Sequence, residues 1–405
     1  MMIRPRNIIV PIVLLISFWI GWSAYSFFFD ESKPELALCG LDESGYYSGD
    51  FQCLIKGSDG YKVSDISVWL DNRPIINKFR INKKAFEHPL PLPTKSLPNG
   101  KHVLKIEVVD SSIHKNKTQQ EFIFYVDNNP LQAAYVRPGA EYKVFQGRTL
   151  HLQFQVNKEI KEAKISLLSK KYECFPESKA STIYECFVPI DCEESPNEYP
   201  LSIEVTDKTG STITLPGKFQ IIPYPFKKQV LTVKPEKVKT EAELGLKQDI
   251  FEEELESLFK KSPKQKLWQG EFYIPLEMTR VISDYGTKRI TQERGCYMHK
   301  AVDIIGLLKT VVWAPQDGII VVKNRYAMSG NTIVIDHGLG IFTLLYHLDS
   351  FANVNVGDKI RRGNPVGTMG NTGYASGSHL HWEMRIFDGE KGIHVDPMQW
   401  TKCDF

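Results

Sequence analysis

The distribution of apolar and polar residues first sets apart the amino-terminal region. Residues 8–29 form one apolar run without charges, preceded by Arg4 and Arg6 and followed by Asp30 and Glu31. At about 1.5 Å per residue, a helix of this length crosses a hydrocarbon core roughly 30 Å thick. The run therefore predicts a transmembrane helix, and the basic residues before it place the rest of the chain outside the cytoplasm.

A cleaved signal peptide is the alternative interpretation of this run. However, the run is long for the apolar part of a signal peptide, and no clear small-residue cleavage motif follows it. We therefore expect residues 1–35 to be a cytoplasmic stub and an uncleaved signal anchor. The protein is then a single-pass protein of the cytoplasmic membrane, with its bulk in the periplasm or outside the cell.

Two successive regions, residues 36–128 and 129–223, alternate apolar and polar positions with a period of two. Clear examples are residues 103–109 in the first region and 150–156 in the second. Short alternating runs separated by turn residues are typical of antiparallel β-sandwiches. Each region is predicted to be an immunoglobulin-like module that acts as a spacer or contacts protein partners, and neither shows a catalytic pattern.

The remaining chain divides into a linker and a carboxyl-terminal domain. Within the linker, residues 224–266, helix-forming residues and a nearly helical apolar spacing predict one helix over 241–261. Residues 267–405 return to short apolar runs with many glycines, which favours an all-β domain. The predicted fold class is therefore mainly β, with a transmembrane helix, two sandwich modules, a linker helix and a β-sheet domain at the end.

Length and charge narrow the classes of function. A chain of 405 residues is long enough for about two to four domains. Its 50 basic and 48 acidic residues leave a formal net charge of +2, which argues against nucleic acid as a partner.

Seven cysteines fit an exported chain in an oxidising compartment, where disulfides form. Each is expected to be a structural disulfide or a buried thiol, and the pairing stays open. Cys39 and Cys53 are natural partners because they are close in sequence, and Cys296 and Cys403 could link the ends of the last domain. Three further cysteines lie together and could leave one unpaired: Cys174, Cys186 and Cys192.

Candidate chemistry concentrates in the last domain, since six of the ten histidines follow residue 298. Two clusters stand out, His299 with Asp303 and His379 with His381. An even separation on a strand returns side chains to one face, so each cluster can point into a single groove. Two imidazoles and one carboxylate, with an open position for water, form a suitable catalytic zinc site and leave one histidine over for catalysis.

Either cluster alone is a weak signal, but several phrases occur in order around them. They are SDYGTKR at 283–289, GNTIVIDHG at 330–338, LYHL at 345–348, VGDKI at 356–360, VG at 366–367, GNTG at 370–373 and SHLHWE at 378–383. In these phrases, residues 267–400 resemble the lysostaphin- and LytM-type zinc peptidases of family M23. The resemblance implies an antiparallel sheet that carries a groove and, as substrate, the peptide crosslinks of peptidoglycan.

Carried over residue by residue, the resemblance implies that His299, Asp303 and His381 hold one Zn²⁺ per chain. It also implies that His347 and His379 are the catalytic histidines. One departure is Ala301, where the family more often has glycine, and alanine is the next smallest residue.

The expected function is therefore a membrane-anchored endopeptidase that hydrolyses peptide bonds with a metal-activated water. Zinc lowers the pKa of bound water toward about 7, and a histidine can accept its proton. Which of His347 and His379 does so stays open. The alternatives are a non-cleaving M23-like binding protein or activator of a cell-wall amidase, and a structural adaptor built on the sandwich modules. The complete set of five residues argues against the first alternative.

Four neighbouring residues receive simpler interpretations. His337 is expected to have a structural role in a turn rather than a role as a metal ligand. A second metal site at His394 is the less favoured interpretation of that residue. Glu383 shares a face with His381, and could either orient that ligand or lie at the rim. Tyr346, next to a candidate catalytic position, is expected by alternation to face away from it.

Overall fold

The computed structural model describes residues 6–137, 142–230, 249–291 and 295–402. The chain is mainly β, as predicted, and divides into two compact units. The first contains residues 1–130 with 208–211, and the second contains residues 131–207 with 212–405.

Helix α1 spans Arg6–Phe29, where a helix is predicted. Its side chains are described only from Leu15 onward, without that of Ile16, so the side chains of residues 8–14 and 16 of the predicted span lie outside the described part. Across the part of the chain that is described, no helix combines the length and the apolar character needed to cross a membrane. The predicted transmembrane helix is not confirmed.

The first unit contains a single six-stranded sheet in which the strands follow the order β1-β3-β5-β6-β2, with β4 paired to β3. The strands are β1 (Glu35–Cys39), β2 (Tyr46–Tyr47), β3 (Phe51–Leu70), β4 (Arg73–Leu92), β5 (Gly100–Asp110) and β6 (Lys117–Val126). β3 pairs with β1 through its first half and with β5 through its second half. The register shifts between these halves, at Ser58 and Val63, and such irregularities bend a strand. One continuous sheet therefore replaces the two sheets predicted here, and an immunoglobulin-like module is not confirmed.

The described cysteines are all free thiols, in contrast to the predicted disulfides. Cys39 pairs across the strands with Leu54 rather than with Cys53. The offset of one residue turns the two side chains to opposite faces of the sheet, so Cys39 is exposed while Cys53 is buried. Cys174 and Cys186 are in side-chain contact but are not linked. The predicted link between Cys296 and Cys403 lies outside the described residues, which end before Cys403.

The first half of the second unit forms two sheets around one core. One sheet has the order β11-β10-β14-β15-β8 and the other the order β12-β13-β9-β7. The strands are β7 (Ala133–Tyr135), β8 (Tyr142–Phe145), β9 (Thr149–Val156), β10 (Ile160–Leu167), β11 (Lys170–Glu173), β12 (Phe175–Pro176), β13 (Ile183–Pro189), β14 (Glu198–Asp207) and β15 (Thr212–Ile222). Phe154 from one sheet and Ile203 from the other are fully buried in the shared core. Two layers agree with a sandwich, although an immunoglobulin-like arrangement is not confirmed.

The second half of this unit contains a ten-stranded sheet and a small three-stranded one. The large sheet has the order β17-β20-β27-β24-β23-β22-β25, with β26 on β24, β21 on β26 and β28 on β27, and the small sheet has the order β16-β18-β19. The strands are β16 (Lys228–Val230), β17 (Arg280–Ser283), β18 (Thr287–Thr291), β19 (Gly295–His299), β20 (Val302–Ile305), β21 (Val311–Trp313), β22 (Gly318–Tyr326), β23 (Gly330–Asp336), β24 (Ile341–Phe351), β25 (Lys359–Ile360), β26 (Pro365–Met369), β27 (Leu380–Phe387) and β28 (Gly392–Val395). Helices α2 (Asp249–Phe259) and α3 (Pro397–Trp400) complete it.

Helix α2 packs on one face of the large sheet. Its apolar residues Phe251, Leu255 and Phe259 recur every four positions, so they share one side of the helix and are buried. They contact the sheet face that carries Phe342 and Tyr346. The predicted helix is thus found over Asp249–Phe259, and the part of the prediction that falls on residues 241–248 lies outside the described residues.

The two halves of the second unit are joined by buried hydrogen bonds. The side chain of Gln399 accepts from the backbone N–H of Thr149 at 2.7 Å and donates to its carbonyl at 2.9 Å. The backbone N–H of Asp396 donates to the carbonyl of Gly147 at 2.7 Å. The β-sandwich therefore packs directly against the β-sheet domain.

Candidate active site

Three adjacent strands of the large sheet bring the candidate residues together. Asp303 on β20 pairs with His381 on β27, and His381 pairs with Tyr346 on β24. Directly paired residues point to the same face, so these three side chains converge. His299 is the last residue of β19 and reaches the same point from the small sheet.

The side chains of His299, Asp303 and His381 place three donor atoms around one point. His299 Nε2 lies 3.1 Å from Asp303 Oδ2 and 3.4 Å from His381 Nδ1, and His381 Nδ1 lies 2.8 Å from Asp303 Oδ1. A tetrahedral zinc ion with bonds of about 2.0 to 2.1 Å separates its ligand atoms by roughly 3.3 Å. This donor set therefore fits a zinc ion, in both chemical type and spacing.

The electrostatics of these three residues also suit a cation. Burial alone would raise the pKa of Asp303, but hydrogen bonds from His299 and His381 outweigh it and lower that pKa below its usual range. Burial would likewise lower the pKa of His381, whereas contacts with Asp303 and Glu383 raise it to about 9. Positive charge is thus favoured between His381 and Asp303, as a divalent ion requires.

His347 and His379 lie beside this cluster with their rings 4.8 Å apart. The Nδ1 of His347 is 2.8 Å from the carbonyl oxygen of Thr372, and the Nδ1 of His379 is 2.8 Å from that of Gly377. Because each Nδ1 donates to a carbonyl, each Nε2 is left as a proton acceptor. Burial and the charges of the neighbouring histidines lower the pKa of His347 to about 3, so its imidazole is neutral at physiological pH.

His347, His379 and His381 also have nitrogen atoms close enough to hold a metal together. His381 thus belongs to both groups, the one with Asp303 and the one with the two remaining histidines. All five residues predicted from the sequence therefore belong to two adjacent groups that share His381.

Comparison with known proteins agrees with this geometry. The model of the family described as Peptidase family M23 matches residues 297–397, which include all five residues. The chain carries an M23 peptidase domain. The resemblance recognised in the sequence is thereby confirmed.

Two curated relatives each match about a third of the chain. The peptidoglycan DD-endopeptidase ShyC of Vibrio cholerae is 31% identical over 124 residues, which cover 30% of this chain and 28% of the relative. The DD-carboxypeptidase/endopeptidase Mpg of Neisseria meningitidis is 35% identical over 131 residues, or 32% of this chain and 29% of the relative. The chain thus spans less than a third of the length of these relatives.

Among solved structures, the antimicrobial peptidase lysostaphin from Staphylococcus simulans matches with 27% identity and a TM-score of 0.27. That match covers 33% of this chain and 54% of lysostaphin.

Two polar residues that precede the matched residues 297–397, and that are not predicted from the sequence, contact the candidate ligands. Ser283 Oγ is 3.1 Å from His299 Nδ1, and Arg289 Nη2 donates to Asp303 Oδ2 at 3.0 Å. Both belong to the phrase at residues 283–289. The cross-strand pairing of Ser283 with Asp303 explains its place, but that pairing is not visible in the sequence.

Tyr346 does not face away from the site, and the expectation based on alternation is wrong. Its ring stacks on that of His381, and its hydroxyl lies 3.3 Å from Glu383 Oε2. The reason is the backbone of His347, which has φ of 60° within an irregular part of β24. A left-handed residue interrupts the regular alternation of a strand, so neighbours in sequence can reach the same site.

The two remaining histidines of the M23 domain contact residues other than the candidate metal ligands. His337 is fully buried, with Nδ1 2.7 Å from the carbonyl oxygen of Asp317 and Nε2 2.8 Å from Thr343 Oγ1. His394 Nε2 lies 3.3 Å from Glu383 Oε2. Among the described residues, neither histidine belongs to a cluster that could hold a metal.

Proposed function

We propose that the M23 domain is a zinc-dependent endopeptidase that hydrolyses peptide crosslinks of bacterial peptidoglycan. One observation carries the proposal: the donor atoms of His299, Asp303 and His381 converge beside two histidines whose Nδ1 atoms are bonded to carbonyl oxygens, which leaves each Nε2 as a proton acceptor. The substrate class comes from the relatives, whose names identify them as DD-endopeptidases of peptidoglycan or as DD-carboxypeptidase/endopeptidases.

The site residues fit the chemistry of peptide hydrolysis. A zinc ion held by His299, Asp303 and His381 would supply a Lewis acid that polarises a carbonyl and acidifies water. His347 and His379 lie beside this set, where either Nε2 can accept a proton from water and return it to the leaving amine. The carbonyls of Thr372 and Gly377 keep both rings in the orientation that this transfer needs.

The experiment that tests the proposal is digestion of purified peptidoglycan, with the products identified by mass spectrometry. The zinc-loaded full chain should release new amine termini, a chelator should abolish the release, and His381→Ala should release none. His114→Ala, which changes an exposed histidine in the first unit, is the matched control and should behave as the wild type. Circular dichroism should confirm that both variants are folded.

The same digestion separates the alternatives. A non-cleaving binding protein or amidase activator would bind peptidoglycan with zinc loaded and still release no amine termini. A structural adaptor would keep its function in the cell when His381 is changed to alanine, because that function would not depend on bond cleavage.

The location of the protein is part of the proposal, since peptidoglycan lies outside the cytoplasm. We propose that the M23 domain faces the periplasm or the cell exterior and that the chain is held at the cytoplasmic membrane by its amino-terminal region. Protease added to spheroplasts should digest the domain, whereas protection from protease would exclude this location. Separation of membrane and soluble fractions tests the attachment independently.

A further inference from the structure

A chain of charged side chains runs from helix α2 to His381 beneath the candidate metal site. Glu252 of α2 accepts from Arg385 Nη1 at 2.6 Å and from Nη2 at 3.2 Å. Arg385 Nε and Nη2 each lie 2.8 Å from Glu383 Oε2. The other oxygen of that carboxylate, Oε1, lies 3.0 Å from His381 Nε2. The chain therefore connects α2 to the imidazole opposite its candidate metal-binding nitrogen, Nδ1.

The middle of this chain is buried, and its charges therefore need partners. Arg385 and Glu383 are only 5% and 7% exposed. Tyr346 and His394 add further contacts, and both reach the same oxygen of Glu383, Oε2. Removing water from two charges is costly unless hydrogen bonds satisfy them, so each buried group here depends on its neighbours.

Glu252 determines how Arg385 meets Glu383. A guanidinium group with free N–H groups tends to pair with both oxygens of a carboxylate at once. Here Glu252 occupies Nη1 and shares Nη2, so Arg385 contacts a single oxygen of Glu383. Without Glu252, Arg385 could turn toward both oxygens of Glu383 and compete with His381 for Oε1.

The contact at Oε1 decides which nitrogen of His381 carries the proton. When Nε2–H donates to Glu383, the lone pair is on Nδ1, which points toward Asp303 and the candidate metal position. Such carboxylate partners of ligand histidines fix the ring orientation and the tautomer.

We propose that Glu252 is a positioning residue for the metal centre and acts on His381 through Arg385 and Glu383. The inference rests on the proposed role of His381 as a metal ligand. It also adds α2, which precedes the matched residues 297–397, to the structure that builds the centre.

The matched variants are Glu252→Ala and Glu253→Ala in the full chain. Glu253 is the exposed neighbour on the same helix, and alanine preserves the helix in both. Binding of Co²⁺ is followed by its visible absorption, and binding of Zn²⁺ by competition with a chelator. We expect Glu252→Ala to weaken metal affinity about 3- to 10-fold and to change the cobalt spectrum, below the 10- to 100-fold typical of direct partners such as Glu383. Glu253→Ala should match the wild type, and Glu252→Gln, which can still accept one hydrogen bond, should recover part of the loss.

A double variant tests whether Glu252 acts through Glu383. In the Glu383→Gln background, Glu252→Ala should weaken metal affinity little further, because the path to His381 is already interrupted. The inference is overturned if Glu252→Ala lowers only the melting temperature and leaves affinity and spectrum unchanged. It is also overturned if the two losses of affinity multiply independently. If the wild type itself binds no Co²⁺ in a manner that His381→Ala abolishes, the proposed function fails instead.

Discussion

The ring of Tyr346 stacks on the ring of His381, with centroids 5.2 Å apart and planes inclined by only 6°. The stack covers one face of the imidazole and leaves its nitrogens directed to Asp303 and Glu383. Ring stacking and hydrogen bonding thus both hold the imidazole of His381 in one orientation.

We expect Tyr346→Ala to destabilise the protein by about 3 to 5 kcal/mol, the usual cost of removing a buried aromatic ring. The same change should weaken metal binding, because His381 loses the surface that holds it. Tyr346→Phe keeps the ring and loses the hydroxyl with its contacts to Glu383 and Arg385, so its cost should be about 1 kcal/mol. Urea unfolding and Co²⁺ titration measure the two effects, and equal metal affinity in all three proteins would contradict the role of the stack.

The position of Tyr346 shows where inference from the sequence ends. The even spacing of His379 and His381 correctly places both at one site, because His379 is paired with Gly370 directly before β27 begins at Leu380. The same rule fails for Tyr346, because His347 adopts a positive φ. No glycine stands at that position to indicate it in the sequence. Alternation is informative only where the strand is regular.

His347→Ala should separate catalysis from metal binding. The side chain lies beside the candidate metal ligands. The centroid of its ring is 4.8 Å from that of His379 and 5.9 Å from that of His381. Loss of a proton-transfer group typically lowers turnover about 10²- to 10⁴-fold. We expect that loss in peptidoglycan digestion, with Zn²⁺ affinity within a few fold of the wild type. A variant that no longer binds zinc would instead place His347 among the metal ligands.

Bound metal should raise the free energy of unfolding by an amount that grows with the logarithm of the free metal concentration. A ligand that binds only the folded state at 100 times its Kd adds about 2.7 kcal/mol. Thermal unfolding with added Zn²⁺ and with a chelator should therefore differ clearly for the wild type. The difference should vanish in His381→Ala, and its persistence there would indicate that zinc binds elsewhere.

Gln399 should be essential to the packing of the β-sandwich on the M23 domain. It satisfies both backbone groups of Thr149, a residue that is only 1% exposed. Gln399→Ala leaves a buried N–H and a buried carbonyl without these partners, at about 1 to 3 kcal/mol for each group. Urea unfolding should show this loss, and limited proteolysis should begin to separate the two halves. Gln269→Ala, a change of an exposed glutamine, is the control and should have little effect.

Contacts between residues that are far apart in sequence explain why other features of the site and the fold could not be predicted. The resemblance to family M23 implies that His299, Asp303 and His381 are the ligands, because each lies in a short continuous motif. Nothing near Glu252 indicates that it meets Arg385, since 133 positions separate them. Likewise, the proximity of Cys39 and Cys53 in sequence suggests a disulfide, whereas a register offset of one residue separates their side chains. Pairing register and helix docking are properties of the whole fold.

His337 should make the stability of the M23 domain depend on pH. Burial lowers its pKa to about 4, below the ordinary value of about 6.5, so the unfolded chain binds the proton more readily. Its contribution is fully present above about pH 6.5 and is lost as the pH falls toward 4. With a chelator present, urea unfolding should show the wild type losing about 2 to 3 kcal/mol more than His337→Gln between pH 7 and pH 4.5. A nuclear magnetic resonance titration of the His337 ring measures the pKa directly, and a value near 6.5 would contradict the prediction even if the variant does not fold.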